Sequence, residues 1–320
     1  MLVTGATGFL GRHLVKLIKG PVRVLVRGTA PFDCETVRGD VTMAQDVERA
    51  VQGCRAIYHL AGLVSRNPAD AAKMEQIHVE GTRLILKNAK KHGVERVVVA
   101  SSSGTLAVSR TAAVHTEESG YKTSETALWP YYVTKIAQEK LAHEFFANTK
   151  LPIVVANPSL LLGPGDDRGS STGDVLNFLE GQVLSSPTGG LNFVDARDAA
   201  AGLVGAMERG RAGERYLMGG VNWTCGQFLR ELAKVSARRA PAMTSPAWLS
   251  LLVAPALRRL MPLFGRKFTI DDETIEMSGM FWYCDSSKAA RELGFTARDP
   301  VETLRDTVED IYTRRPELKR

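Results

Sequence analysis

Thr4-Gly5-Ala6-Thr7-Gly8-Phe9-Leu10-Gly11 follows the apolar start Met1-Leu2-Val3 and opens into Arg12-His13-Leu14-Val15-Lys16-Leu17-Ile18-Lys19. This order reads as strand, glycine turn, helix. Gly5 permits the tight turn, Gly8 lets a pyrophosphate approach the backbone, and Gly11 lets helix and strand pack closely. Thr7, Phe9 and Leu10 belong to the same expected cradle, where free N–H groups and a positive helix end face phosphate. A glycine pattern alone is a weak signal. Here the helix stop Gly20-Pro21 and a second strand, Val22 to Val26, follow at the spacing of a βαβ unit.

Outward from that turn, strands and helices alternate. Glu35 to Arg38 reads as a third strand ending at Gly39-Asp40-Val41, and Thr42 with Gln45 reads as a capping box for a helix to Val51. Ala56 to Leu60 is a buried strand closed by Ala61-Gly62. One long amphipathic helix is expected from about Ala69 to Lys91, then a strand from Arg96 to Ala100. The pattern predicts an α/β protein with a doubly wound parallel sheet. Residues 1–160 form the expected dinucleotide-binding Rossmann domain, with a return of the chain near 191–212. Residues 161–320 form a smaller, mostly helical substrate domain.

In a parallel sheet the carboxyl ends of the strands hold ligand. The strand Arg96 to Ala100 runs into Ser101-Ser102-Ser103-Gly104-Thr105 at that edge. A later helix opens with Tyr131-Tyr132-Val133-Thr134-Lys135, which puts Tyr131 and Lys135 on one face. Another strand, Ile153 to Asn157, ends in Pro158-Ser159, and Thr224 with Gln227 makes a second capping box.

The chain has 320 residues, is 44% hydrophobic and 24% charged, and carries a net charge of +6. The basic residues are scattered, so a solvated surface is expected rather than nucleic-acid binding. Four separated cysteines and six histidines show no metal-ligand spacing. Reduced thiols in a cytoplasmic protein follow. No signal peptide is expected, because the glycine turn begins at residue 5. The apolar stretch Trp248 to Phe264 is too short and too interrupted to span a bilayer. Packing within the second domain is its first reading; contact with a lipid-like substrate or a membrane surface is the second.

The glycine turn, the serine-ended strand and the Tyr131-x-x-x-Lys135 pair together resemble the extended short-chain dehydrogenase/reductases. Within them the chain is most similar to the dihydroflavonol 4-reductase and 3β-hydroxysteroid dehydrogenase branch, and to hopanoid-associated sugar epimerases. Val94 to Thr105, Asn157 to Pro164, Leu191 to Val194 with Asp198, and Gly213 to Gly220 carry that similarity. The resemblance implies a general acid or base at Tyr131, a Lys135 charge that favours the phenolate and holds the nicotinamide ribose, and a substrate hydrogen bond from Ser102, with Ser103 as rival. It implies adenine contacts at Asp40 and Val41, cofactor contacts at Leu60, Ala61 and Gly62, and nicotinamide contacts at Pro158 and Ser159. Arg27 stands at the end of the second strand, where an acidic residue holds the ribose hydroxyls of NAD. Its planar fork suits a 2′-phosphate. NADP(H) is therefore expected over NAD(H).

Three functions compete. The first is a reductase or alcohol dehydrogenase acting on a bulky, largely apolar ketone, sterol-like or flavonoid-like. The second is a nucleotide-sugar epimerase or dehydratase with tightly bound NAD. The third is a catalytically silent cofactor binder. The resemblance also implies a homodimer built on the long helix and the Tyr131 helix. Two departures stand out: His78 where the family often has asparagine, and Asp195 where relatives often carry histidine.

Overall fold

The structure, a computed structural model, describes residues 1–265 and 268–319. Apolar runs such as Leu2–Thr4 (β1), Arg23–Val26 (β2) and Ala56–His59 (β4) are buried on both faces, as parallel strands must be. With Glu35–Arg38 (β3), Arg96–Ala100 (β5) and Ile153–Pro158 (β6) they form most of a seven-stranded sheet. Its order is β10-β6-β5-β4-β1-β2-β3, every pair parallel, with β10 at Arg215–Met218. The strand order reverses between β1 and β4, which opens a crevice at their carboxyl ends.

One sheet face is covered by Phe9–Leu17 (α1) and Ala196–Arg209 (α7), which pack against each other over Val3, Val24, Tyr58, Val98 and Tyr216. The other face is covered by Ala44–Val51 (α2), Gly81–Lys91 (α4) and Pro130–Thr149 (α5) over Leu2, Ile57, Val97 and Val155. The chain thus comes back to the sheet through α7 and β10.

A second core is built from Leu160–Leu162 (β7), Gly173–Leu179 (α6), Ser186–Pro187 (β8), Gly190–Asp195 (β9), Val221–Thr224 (β11), Cys225–Ser236 (α8) and Pro300–Arg314 (α12). Phe193, Trp223, Phe228 and Leu304 fill it. The Thr224 side chain caps α8 by accepting from the Gln227 N–H at 3.1 Å, as the capping pattern predicts. Thr244–Ser245 (β12), Ala247–Leu260 (α9), Asp272–Ser278 (α10) and Ser287–Leu293 (α11) complete the chain.

Three sequence expectations are corrected or narrowed. Met43, not Thr42, caps α2, and without a side-chain bond, while Thr42 donates through both its N–H and its hydroxyl to Asp40 Oδ1. The long helix runs unbroken from Ala71 to Lys91 but is not α-helical throughout. Ala71–Glu75 (α3) passes into a π turn, Gln76–Glu80, before α4, so one extra residue is accommodated where His78 turns inward. The Trp248 to Phe264 segment packs within the second domain on one side only, where α9 meets α10. Of α9 only Ala254 is buried, because apolar residues surround the helix and α10 covers one side alone. Among the described residues no helix is long and apolar enough to cross a membrane.

Candidate active site

The glycine turn is built by close backbone approach. A Cβ on Gly5 would lie 2.6 Å from the Leu60 carbonyl, and its φ of +71° lies in the left-handed region. A Cβ on Gly11 would lie 2.2 Å from the Gly5 oxygen. Gly8 precedes α1, whose first turn has no side-chain cap and no acidic residue. Its amides are therefore free for an anion. Arg12 donates to the Thr7 carbonyl and pairs with Asp167, and His13 Nε2 lies 2.9 Å from the Pro164 oxygen, so the loop after β7 is pinned beside the turn.

At the far end of the crevice Arg27 is exposed just beyond β2. Asp40 is fixed by the two Thr42 bonds, and its amide donates to Asp46 Oδ2 at 2.9 Å. Val41 is buried with its side chain over Gly81. Leu60 and Ala61 line the β4 edge, with Gly62 exposed beside them.

At the near end stand Ser102, Tyr131 and Lys135. The Ser102 hydroxyl accepts from the Gly104 N–H and faces the Tyr131 phenol; Ser103 is buried in the turn that follows. Burial pushes the Tyr131 phenol up to about 12, with Ser102 pulling the other way. Burial lowers the Lys135 ammonium to about 8, opposed by the charge of Glu139. The ammonium donates to the Ala100 carbonyl and to Gln138 Oε1, both at 2.9 Å, and desolvation governs the phenol. Pro158 and Ser159 end β6 at the same edge, and the buried Ser159 Oγ has no hydrogen-bond partner among the described residues. An orphaned hydroxyl, a cradle that a Cβ would fill, and an ammonium at the strand edge together fit a dinucleotide laid across the crevice.

Three groups organise this edge, and of these the sequence singled out only His78. Glu139, one turn beyond Lys135, is fully buried. Its Oε1 accepts from Ser101 Oγ, from Thr105 Oγ1 at 2.7 Å and from Asn157 Nδ2 at 2.7 Å, while Asn157 also donates to the Ser102 carbonyl. Burial raises its carboxyl despite those donors and Arg215, 3.7 Å from Oε2. The i, i+4 spacing from Lys135 was the available signal. His78 Nε2 accepts from the Leu63 N–H at 3.0 Å, which leaves Nδ1–H to donate to Thr134 Oγ1 at 2.8 Å. Its ring packs edge-on against Tyr131, centroids 5.8 Å apart. Burial lowers its imidazole to about 2. Third, Lys135, Gln138, Thr82, His59 and Thr4 form one buried chain of hydrogen bonds that reaches the glycine turn. No local pattern marks it, since its members come from β1, β4, α4 and α5.

The second departure, Asp195, is structural. It caps α7 and is paired with Arg197 and Arg298, and Gly163 at φ +113° makes room for it. Beside Tyr131 the surroundings are aromatic: the Tyr132 ring packs on Tyr131 at 5.0 Å and stacks on Trp282, centroids 5.1 Å apart, and a Cβ on Gly104 would meet the Tyr132 ring at 2.2 Å. Arg66 reaches over from the nucleotide half to Asp174 and to Thr274 of α10. Burial and Asp271 raise Glu273 to about 7. Among the described residues no cluster of three His, Cys, Asp or Glu side chains could hold a metal.

Known proteins resemble this chain in sequence and in fold. The pattern of the NAD dependent epimerase/dehydratase family matches residues 1–219. A protein of Synechocystis sp. named for dihydroflavonol 4-reductase is 33% identical, the match covering 96% of this chain and 92% of that protein. Sterol demethylase protein B of Methylococcus capsulatus is 32% identical over 96% of both. The crystal structure of gox2253 superposes with a TM-score of 0.84 at 28% identity, covering 98% of each chain. At 23% identity, the Streptomyces venezuelae dTDP-glucose 4,6-dehydratase DesIV, solved with NAD, shares the fold with a TM-score of 0.78 over 99% of this chain and 98% of its own.

Proposed function

Because the chain belongs to the NAD dependent epimerase/dehydratase family, and so to the NAD(P)-dependent oxidoreductase-type enzymes of the extended short-chain dehydrogenase/reductases, we propose that it reduces the carbonyl of a bulky, largely apolar ketone or aldehyde, or oxidises the matching alcohol, with NADP(H). The observation that carries this reading is the convergence of the Ser102 hydroxyl, the Tyr131 phenol and the buried Lys135 ammonium at one edge of the crevice. When bound, the nicotinamide supplies or accepts the hydride. Tyr131 holds the proton that the carbonyl oxygen gains, and a raised phenol pKa keeps that proton in place at neutral pH. Ser102 donates to the same oxygen and orients it, with Glu139 fixing the backbone around it. Lys135 holds the nicotinamide ribose and keeps positive charge beside the phenol.

Gly5, Thr7, Gly8, Phe9, Leu10 and Gly11 would cradle the pyrophosphate. Asp40 and Val41 would take the adenine, Leu60 to Gly62 the cofactor flank, and Pro158 and Ser159 the nicotinamide. Arg27 favours a 2′-phosphate. The aromatic cluster of Trp129, Tyr132 and Trp282 supports an apolar substrate. Pairing of two copies through the α4 and α5 faces belongs to the same reading.

A turnover screen over steroid, flavonoid and aryl ketones and nucleotide sugars, read by NADPH absorbance, tests it. Tyr131→Phe should lower kcat by about 10²- to 10⁴-fold with cofactor affinity unchanged. Turnover of nucleotide sugars alone, or full activity in Tyr131→Phe, overturns the reading.

A further inference from the structure

The apolar helix α9 lies on the surface with its large side chains uncovered. Trp248 is 66% exposed, Leu252 72% and Leu263, in the short turn that follows, 76%; Met243, just before the helix, is 73% exposed. Single exposed leucines are ordinary, but a continuous run on one helix is not. Leu249, Val253 and Leu260 extend the patch at helical spacing.

Charge indicates what covers it. Arg258 is spent on Asp272 and on the Ile270 carbonyl, whereas Arg259 is exposed and has no ion pair among the described residues. Arg259 follows Leu252 by seven residues and precedes Leu263 by four, so it stands within the apolar stripe. A second copy docked about a two-fold axis through the middle of this stripe would bring the cation toward its own equivalent. A bilayer surface with acidic headgroups takes the leucines and the tryptophan into its acyl boundary and the guanidinium at its phosphates. The net charge of +6 acts in the same direction.

The placement of α9 gives such docking a purpose. α9 packs on α10, where Gly279 at the end of α10 makes room for Ala247. α10 in turn carries the Thr274 that binds Arg66 and the Met277 carbonyl that receives the Trp282 indole. The uncovered helix is therefore one helix removed from Arg66 and from the Trp282 ring that stacks on Tyr132.

We propose that α9 is an interfacial helix that seats the mouth of the crevice on an anionic lipid surface. Entry of an apolar substrate from that lipid rests on the oxidoreductase reading; the seating does not, and its test contains no turnover. The full chain is sedimented with vesicles of phosphatidylcholine alone and of phosphatidylcholine with phosphatidylglycerol, while tryptophan emission is followed in the wild type and in Trp248→Phe. Binding to the phosphatidylglycerol vesicles is expected, with a blue shift of emission that Trp248→Phe removes. Leu252→Glu/Leu263→Glu should weaken that binding by about tenfold or more, with far-ultraviolet circular dichroism and NADPH binding intact. Absence of vesicle binding overturns the proposal, as does equal binding by the doubly substituted chain. A doubly substituted chain that falls from dimer to monomer in sedimentation velocity also overturns it, since the patch is then a contact between copies.

Discussion

Replacing Glu139 by alanine, and separately by glutamine, tests whether the serine edge of the crevice is held by this buried carboxylate. Alanine removes the acceptor of Ser101, Thr105 and Asn157 together and leaves Arg215 facing no counter-charge. Breaking one partner of a buried charged network costs about 3–5 kcal/mol. At about 2.1 cal/mol/K per residue, a chain of this length has an unfolding entropy near 0.7 kcal/mol/K, so the melting temperature should fall by about 4–7 °C. Glutamine keeps the Oε1 acceptor and surrenders only the charge. Burial holds the Glu139 carboxyl above its ordinary range, so its ionisation opposes folding at neutral pH. The stability it contributes is complete below the unfolded pKa and declines as pH rises toward the folded one. Glu139→Gln should therefore lower the melting temperature by less than about 2 °C at pH 7.5, and its deficit should be larger at pH 5. Thermal unfolding followed by circular dichroism at both pH values reads this out. Equal losses in the two variants would refute the claim that the shared acceptor atom organises the loop.

Lys135 should lose its proton near pH 8, so cofactor affinity should decline as pH rises through that value, and Lys135→Arg should carry the affinity to higher pH; a profile unchanged by the arginine counts against this. Arg27→Ala should weaken NADPH binding by about 10- to 150-fold, the value of a charge-assisted bond, with little change for NADH. Titrations in which both cofactors change alike would remove Arg27 from the adenosine end. His78→Leu leaves the Leu63 N–H and the Thr134 hydroxyl without their partner and should cost about 1–3 kcal/mol in urea unfolding, whereas His78→Asn should recover part of it. His59 is held down to about 3 by burial, so its contribution is complete above its unfolded pKa and is lost as pH falls toward the folded one. The stability advantage over His59→Gln should therefore shrink by about 1.4 kcal/mol per pH unit between pH 6 and 4; a constant difference would mean that His59 is already protonated in the folded protein.

The parallel sheet was legible because its signals are local. The glycine turn, the apolar strands and the helix stops each lie within a few residues, and β3 and β5 fall where the spacing puts them. The alignment of Ser102 with Tyr131 could be anticipated from strand direction and helix period. What escaped was set by tertiary burial. The desolvation that raises the phenol appears only once α5 is packed against β5. Thr42 looked like a cap, but its hydroxyl is turned to Asp40 and the helix starts one residue later, and the π turn that directs His78 inward leaves no mark in composition. The exposed face of α9 was misread for a related reason: apolar composition reports a wish for burial, not whether a neighbour is present.

The return of the chain through α7 and β10 has a consequence for synthesis. When the ribosome has made β6, the edge that β10 will occupy is still open, and the apolar side of α1 lacks α7. About sixty residues separate the end of β6 from the end of β10, which at 5–20 residues per second is a wait of about 3–12 s. During that interval the nascent nucleotide half presents an unpaired strand, a natural client for a chaperone and a point of risk for aggregation.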